Sequence, residues 1–289
     1  MQNLTDLSTI RGLFERHGFQ FSKTLGQNFL INPSVCPRIA ELGGADSGTG
    51  VIEIGTGVGV LTVELAKRAK KVVAIEIDSR LLPILDETLA EFDNVKVINA
   101  DVLKLDLHRL VAEEFPGMEV VVCANLPYYI TSPIIMSLLE QRLPVKAITV
   151  MVQKEAAVRL CAKPATREVG AVTIAVRYFS EPKQLFHVSR GSFLPAPNVD
   201  SAVIRLDVRQ DAPQTAEDEK FFFQVVRASF SQRRKTIANS VSATLGLNKA
   251  QLAAAMQTHG LKPTARAEEL SMEQFLLLGN LVKTLLESN

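Results

Sequence analysis

From residue 51 the chain repeats one pattern, a short apolar run followed by an amphipathic stretch. VIEIG leads into VLTVELAKRA, KVVAIEID into SRLLPILDETLAEF, VKVINAD into a polar stretch, EVVVCA into SPIIMSLLEQ, and AITVMVQ into KEAAVRLCAK. Apolar runs of this length between helical stretches read as strands buried on both faces, as in a parallel sheet. Their strict alternation with helices predicts an α/β fold of the doubly wound kind, with helices on both faces of the sheet. SAVIRLDVR (201–209) alternates and can close the sheet as a late strand, whereas AVTIAVRYF (171–179) reads equally as strand or helix. Upstream lie an amphipathic helix over 5–17, a polar loop KTLGQNFLINPS, and a helix in VCPRIAELGGA that ends on a glycine pair.

The alternation stops at DVRQDAPQTAEDE (207–219), a polar, acid-rich segment with Pro213 that reads as a linker. Beyond it EKFFFQVVRASF, TIANSVSATLG, KAQLAAAMQTHG and SMEQFLLLGNLVKTLLE all look helical, and Ser271 with Gln274 has capping-box spacing. Two domains follow, residues 1–209 and a small all-helical domain at 217–289. With 289 residues and 47% hydrophobic composition there is ample material for both cores. No apolar run approaches the roughly 18 residues of a membrane span, and the N-terminus lacks a signal-peptide pattern. Cys36, Cys123 and Cys161 lie far apart and give neither a disulfide framework nor zinc-ligand spacing, so a cytoplasmic protein with no metal is expected.

The chemistry sits at strand ends. The first strand of the alternation runs into Glu53-Ile54-Gly55-Thr56-Gly57-Val58-Gly59. Glycines there permit a tight turn and close backbone approach, although such a turn can also be purely structural. The third glycine comes one residue early for the dinucleotide fingerprint, which disfavours a nicotinamide-dependent oxidoreductase. The second strand ends in Glu76, followed by Asp78, and the third in Asp101. Either acid alone could be a solvated strand end. With the glycine turn they favour a nucleoside-containing ligand, Glu76 on ribose hydroxyls and Asp101 on an adenine amine.

Asn125-Leu126-Pro127-Tyr128 closes the fourth strand. A carboxamide oxygen and a proline-adjacent backbone carbonyl can together accept both protons of an exocyclic amine. That discourages delocalisation of the nitrogen lone pair into the ring and makes the nitrogen a better nucleophile. Pro127 fixes the backbone and Tyr128 offers a flat face for a base. Phe193, ahead of Pro195 and Pro197, could hold a flipped base from a stiff loop, or simply be a core residue beside a turn. The four histidines fall in none of these segments and read as structural or surface residues.

Together KTLGQNFLIN (23–32), EIGTGVGVLT (53–62), IEID (75–78), NAD (99–101), NLPYYITSPI (125–134), FLPAPNVDSAV (193–203) and FSQRRKTIANSV (230–241) resemble the small-subunit ribosomal RNA adenine N6,N6-dimethyltransferases over nearly the whole chain. The resemblance implies a Rossmann-like, class I methyltransferase fold: a seven-stranded, mostly parallel sheet with one antiparallel strand, plus a helical C-terminal domain. It implies S-adenosylmethionine as cofactor, held by Asn28, Leu30, Gly55, Gly57, Glu76, Asp101 and Asn125. It places the target amine on Asn125 and the Leu126 backbone, beside Pro127, with the base between Tyr128 and Phe193. The substrate implied is two adjacent adenosines in a loop near the 3′ end of 16S rRNA, within the small subunit or its precursor. A role in subunit biogenesis and a monomeric enzyme are implied as well. A large-subunit resistance methyltransferase and a non-catalytic assembly factor are the competing readings. Thr56 stands where this family most often has proline, a change expected to affect loop stiffness rather than any ligand group.

Charge argues in the opposite direction until it is localised. The chain carries 32 basic and 31 acidic residues, which gives no general attraction to nucleic acid. Yet residues 220–266 hold eight basic residues and no acid. A cluster of this kind is a phosphate-binding footprint, or else a solvated helical face. Arg227, Arg233, Arg234 and Lys235 are the candidates for rRNA contact. On one straight helix Arg234 would share the face of Phe223, so a break is predicted near Ser229–Ser231, with Arg233, Arg234 and Lys235 opening the next helix.

Overall fold

The computed structural model describes residues 2–22, 26–210, 218–232 and 234–287. They form two compact units, one from Met1–Ala157 and Ser180–Gln210, the other from Val158–Phe179 and Asp211–Asn289.

In the first unit α1 (Leu7–Arg16) and the two-residue strand β1 (Phe29–Leu30) precede α2 (Val35–Leu42). The alternation then runs β2 (Thr49–Ile54), α3 (Val60–Ala66), β3 (Lys71–Glu76), α4 (Leu82–Thr88), β4 (Val95–Asn99), α5 (Leu107–Glu114), β5 (Glu119–Asn125), α6 (Thr131–Glu140) and β6 (Ala147–Gln153). After α7 (Lys154–Leu160) and α8 (Ala171–Phe179) come β7 (Ser180–Val188), a short β8 (Phe193–Leu194) and β9 (Ser201–Val208). The large sheet has seven strands in the order β4-β3-β2-β5-β6-β9-β7, and β9 alone runs antiparallel to its neighbours. The late strand 201–209 therefore does not close an edge; it lies between β6 and β7.

Every residue of β2 is buried, as are five of the seven in β5 and six of the seven in β6. This is why their sequences read as continuous apolar runs rather than alternating ones. One core cluster contains Ile39, Leu65, Val72, Val121 and Met151; another contains Ile10, Leu13, Phe14, Phe29, Ile84 and Leu85. The strand order reverses at β2, whose neighbours are β3 and β5. Parallel register sets Ile54 beside Ala124, so the residues following each strand emerge together at the carboxyl edge. In open α/β sheets such a switch point is where ligands bind.

The second unit is helical throughout its described secondary structure except for a short 3₁₀ turn: α8, α9 (Glu219–Phe230), α10 (Ile237–Leu245), α11 (Lys249–Thr258) and α12 (Met272–Glu287). The linker expected at 207–219 falls largely in residues 211–217, outside the described residues. The ambiguous segment 171–179 is a helix that joins this unit through aromatic packing. Phe179 stacks on Phe223 at 5.5 Å, and the Tyr178 hydroxyl donates to Glu219 at 2.7 Å. Residues 158–179 thus cluster with the C-terminal helices although they precede β7 in the chain. The capping box of α12 is formed from both sides, Ser271 N–H to Gln274 Oε1 at 2.9 Å and Gln274 N–H to Ser271 Oγ at 3.3 Å. The break after α9 is present as well, with Ser231 capping α9 and Thr236 starting α10. Arg234 and Lys235 lie in the turn between the helices rather than inside the second one, because the Thr236 side chain caps α10 by accepting from Asn239 N–H. No helix among the described residues is long and apolar enough to cross a membrane.

Candidate active site

At the end of β2 the chain turns through Gly55, Gly57 and Gly59, all at positive φ. Gly57, at φ +57°, is also tight on space, since a Cβ there would lie 3.3 Å from the Phe29 ring. Glycine is what lets the backbone take this conformation without strain.

Glu76, at the end of β3, fixes that turn. Its Oε2 accepts from Thr56 N–H at 2.9 Å, Thr56 Oγ1 at 3.0 Å and Gly57 N–H at 3.2 Å. Its Oε1 accepts from Asp78 N–H at 2.9 Å. Burial raises the pKa of Glu76 against the pull of these donors. Thr56 is therefore more than a stiffness change. A proline in its place would supply neither the N–H nor the hydroxyl. The buried Asp78 accepts from Arg80, which together with Gln27 lowers its pKa, and Gln27 Nε2 donates to it at 2.7 Å. Gln27 in turn accepts from Ser22 N–H, tying the N-terminal segment to the strand end. Gln27 and Asp78 were not expected as site residues. Their sequence signal is their place in the segments KTLGQNFLIN and IEID, beside the expected Asn28 and Glu76.

Asn125 ends β5, the neighbour of β2 on the side away from β3. The Pro127 carbonyl is taken up locally by Ile130 N–H and Thr131 Oγ1. Tyr128 is half-buried, with its phenol oxygen 2.6 Å from Ser201 Oγ; burial is the main cause of its raised pKa. Phe193 is not on an irregular loop as expected. It lies on β8, which pairs antiparallel with β1, Leu30 opposite Phe193 and Phe29 opposite Leu194. That small sheet is why the segment after residue 26 and the segment after residue 192 share one wall.

The result is a cavity of about 640 Å³ lined by Asn28, Gly55, Gly57, Glu76, Asn125, Leu126, Pro127, Tyr128 and Phe193, with Gly26, Gln27, Phe29, Ile77, Leu81 and Tyr129. A second cavity, of about 340 Å³, shares Phe29, Gly55, Gly57 and Asn125 with it and adds Leu30 and Glu53. Asp101 lines neither. It sits two residues beyond β4, accepting from Leu103 N–H and facing Lys104 Nζ at 3.6 Å. None of the four histidines lines either cavity. His17 pairs with Glu87 at 2.7 Å, His108 and His259 bond backbone carbonyls, and His187 meets Gln184.

Residues 18–284 match the family model described as ribosomal RNA adenine dimethylase. The chain belongs to the ribosomal RNA adenine dimethylase family. A ribosomal RNA small subunit methyltransferase A from Geobacillus sp. (strain WCH70) is 51% identical over 280 residues, covering 96% of each chain. Among solved structures, a dimethyladenosine transferase from Plasmodium falciparum superposes with TM-score 0.71 at 28% identity, over 86% of this chain and 95% of that one. The 23S rRNA methyltransferase ErmE does so with TM-score 0.68 at 28% identity, over 89% of this chain and all of that one.

The basic candidates of this dimethylase-family chain lie in its second unit. Arg227 is exposed in the last turn of α9, and Arg234 and Lys235 are exposed in the turn before α10; Arg233 falls outside the described residues. Lys220, Lys249, Lys262 and Arg266 are exposed as well.

Proposed function

We propose that the chain transfers methyl groups from S-adenosylmethionine to N6 of two adjacent adenosines in a loop near the 3′ end of 16S rRNA. It would do so as a monomer on the cytoplasmic small subunit or its precursor, as a step of subunit biogenesis. The observation that carries this reading is the meeting of two strand ends at the switch point. The Gly55–Gly57 turn and the Asn125–Tyr128 tetrapeptide line one cavity.

The residues fit the cofactor. The turn at Gly57 leaves no room for a side chain beside Phe29, so the methionine part can lie along bare backbone. Glu76 Oε1 receives a single internal donor and keeps acceptor capacity for ribose hydroxyls. Ile77, which follows it, lines the cavity with 54% of its surface exposed and gives the adenine ring an apolar face. Leu30 acts from the adjoining cavity. Asp101, outside both cavities, keeps acceptor capacity for the adenine amine beside its contact with the exposed Lys104. Gly57→Ala is expected to weaken S-adenosylmethionine binding about ten-fold or more by calorimetry, since a Cβ at this left-handed position, crowding Phe29, would displace the backbone along which the methionine part lies. Unchanged affinity would remove Gly57 from the cofactor site.

When bound, S-adenosylmethionine supplies an electrophilic methyl group on sulfonium sulfur. The chain's own work is positioning. The Asn125 carboxamide oxygen and the Leu126 carbonyl accept the two N–H bonds of the adenine amine and hold its lone pair off the ring. Tyr128 and Phe193 wall the base on both faces. Alignment of the nitrogen with the methyl group provides much of the acceleration, and the proton lost afterwards goes to water. The adenines must leave their stack to enter, which is least costly in a single-stranded loop.

The test is mass mapping of rRNA after incubation of unmethylated small-subunit particles with labelled cofactor. Two adjacent dimethyladenosines in 16S rRNA are expected. Label in 23S rRNA would favour the resistance-type reading, and no label would favour an assembly factor. A second expectation concerns the basic turn. Replacing residues 233–235 by Ala should make the salt dependence of particle binding shallower by about 2 in log–log slope, roughly 0.7–0.9 for each phosphate that is no longer neutralised. An unchanged slope would remove that turn from the RNA interface.

A further inference from the structure

Among the described residues the two most exposed large hydrophobic side chains are Tyr129, at 60%, and Ile77, at 54%. Both line the same cavity. A single apolar side chain on a surface needs no explanation, but these two converging on one cavity mark a binding rim. Ile77 follows Glu76 and belongs to the cofactor side. Tyr129 directly follows Tyr128, yet the two rings are held differently. Tyr128 is half-buried and anchored through its hydroxyl on Ser201. Tyr129 rests against Gly26, where a Cβ would come within 3.3 Å of Cδ1 and 3.4 Å of Cε1, while most of the side chain faces water. A ring seated on backbone at one side and open elsewhere is a stacking platform for a nucleobase.

We infer that Tyr129 stacks the nucleobase next to the target adenine, so that the site takes a dinucleotide rather than one flipped base. This rests on the RNA-methylating reading above. Tyr129 directly follows Tyr128 and lines the same cavity, so a base lying on Tyr129 is placed at the mouth of the slot that holds the target base. Stacking tolerates any base because each has a π-face. When either of two adjacent adenosines occupies the slot, the other or its flanking base meets Tyr129. The platform thereby serves both positions without a second pocket.

The experiment compares Tyr129→Ala, Tyr129→Phe and the wild type on unmethylated small-subunit particles. Tyr129→Ala is expected to raise KM about ten-fold with kcat changed less than about two-fold, and Tyr129→Phe to restore KM. The second arm uses particles reconstituted with rRNA lacking the base beside the target. The wild type loses the same factor there, and Tyr129→Ala loses nothing further. A variant equal to wild type on intact particles overturns the inference, as does a full additional loss of Tyr129→Ala on the abasic particles. Calorimetric cofactor binding checks that the variant is folded. If Tyr129→Ala fails that check, Tyr129→Leu carries the same comparison, retaining packing on Gly26 without a flat face. A wild type that methylates no intact particle would instead remove the reading on which the inference rests.

Discussion

Asn125→Ala will bind small-subunit particles within about two-fold of wild type and lose about 10³-fold or more in methyl transfer. A missing positioning group of this kind typically costs 10²–10³-fold in rate, and here the carboxamide would act on the attacking nitrogen itself. Asn125 is partly exposed at the end of β5, and the strand's pairing with β2 and β6 uses backbone groups that alanine also possesses. The substitution should therefore leave the fold and the particle-binding surface intact. The loss belongs in kcat, because in the proposed reading the second unit's basic surface would carry affinity while Asn125 would carry alignment. Single-turnover rates at saturating particles decide the matter. Full activity would remove Asn125 from the mechanism, and a loss confined to KM would make it a binding residue only.

Glu53→Gln will stabilise the protein at alkaline pH and leave it unchanged near pH 4. Glu53 is fully buried on β2 beside Thr62, whose hydroxyl makes no well-aligned hydrogen bond to it, and desolvation pushes its pKa up to about 8 against the weak pull of that hydroxyl. The negative charge of Glu76 adds to that push. Below about pH 4.5 both folded and unfolded chains carry the proton, and Glu53 contributes nothing. As pH rises from about 4.5 to about 8 the unfolded chain ionises and the folded chain does not. The folded state then holds the extra proton, and stability falls across that window, by up to ~5 kcal/mol, before levelling off. Glutamine does not titrate, so the difference in stability between variant and wild type should grow through the same window. The difference matters more than either curve, since Glu87, drawn down to about 2 by bonds from His17, Gln2 and Arg16, loses stability at acid pH in both proteins. Urea melts at pH 4, 6 and 8.5 provide the measurement. A difference independent of pH would mean that Glu53 is ionised in the folded state.

Period and strand length made the sheet legible, because β2, β5 and β6 are buried on both faces and few polar side chains, such as the buried Glu53 and Thr149, interrupt their apolar runs. The same rule failed for 171–179. Its burial in the helical unit gives a continuous apolar run that a strand would share, and only the partners Phe222 and Phe223 decide for a helix. Local sequence marks where a turn must be glycine and where a carboxylate closes a strand, so the gathering of Asn28, Gly55, Glu76, Asn125, Tyr128 and Phe193 was within reach. It does not encode distance along the sheet edge. Asp101 follows the same rule as Glu76, but β4 is the outermost strand, and its acid meets Lys104 instead of the cavity. Nor does it reveal networks that join remote segments. The bonds from Thr56 to Glu76 and from Gln27 to Asp78 exist only once β2, β3 and the N-terminal segment are assembled.

The order of strands also dictates a schedule. β7 is made before β9 but touches the sheet only through it. During vectorial synthesis β6 therefore presents an open hydrogen-bonding edge until Val208 has left the exit tunnel, and β7 waits as an unpaired ribbon. Phe193 lies inside that delayed stretch. A nascent chain stalled before Val208 could hold every proposed cofactor- and base-contacting residue, and both strands of the small sheet that seats Phe193, while β6 and β7 still lacked the strand that joins them.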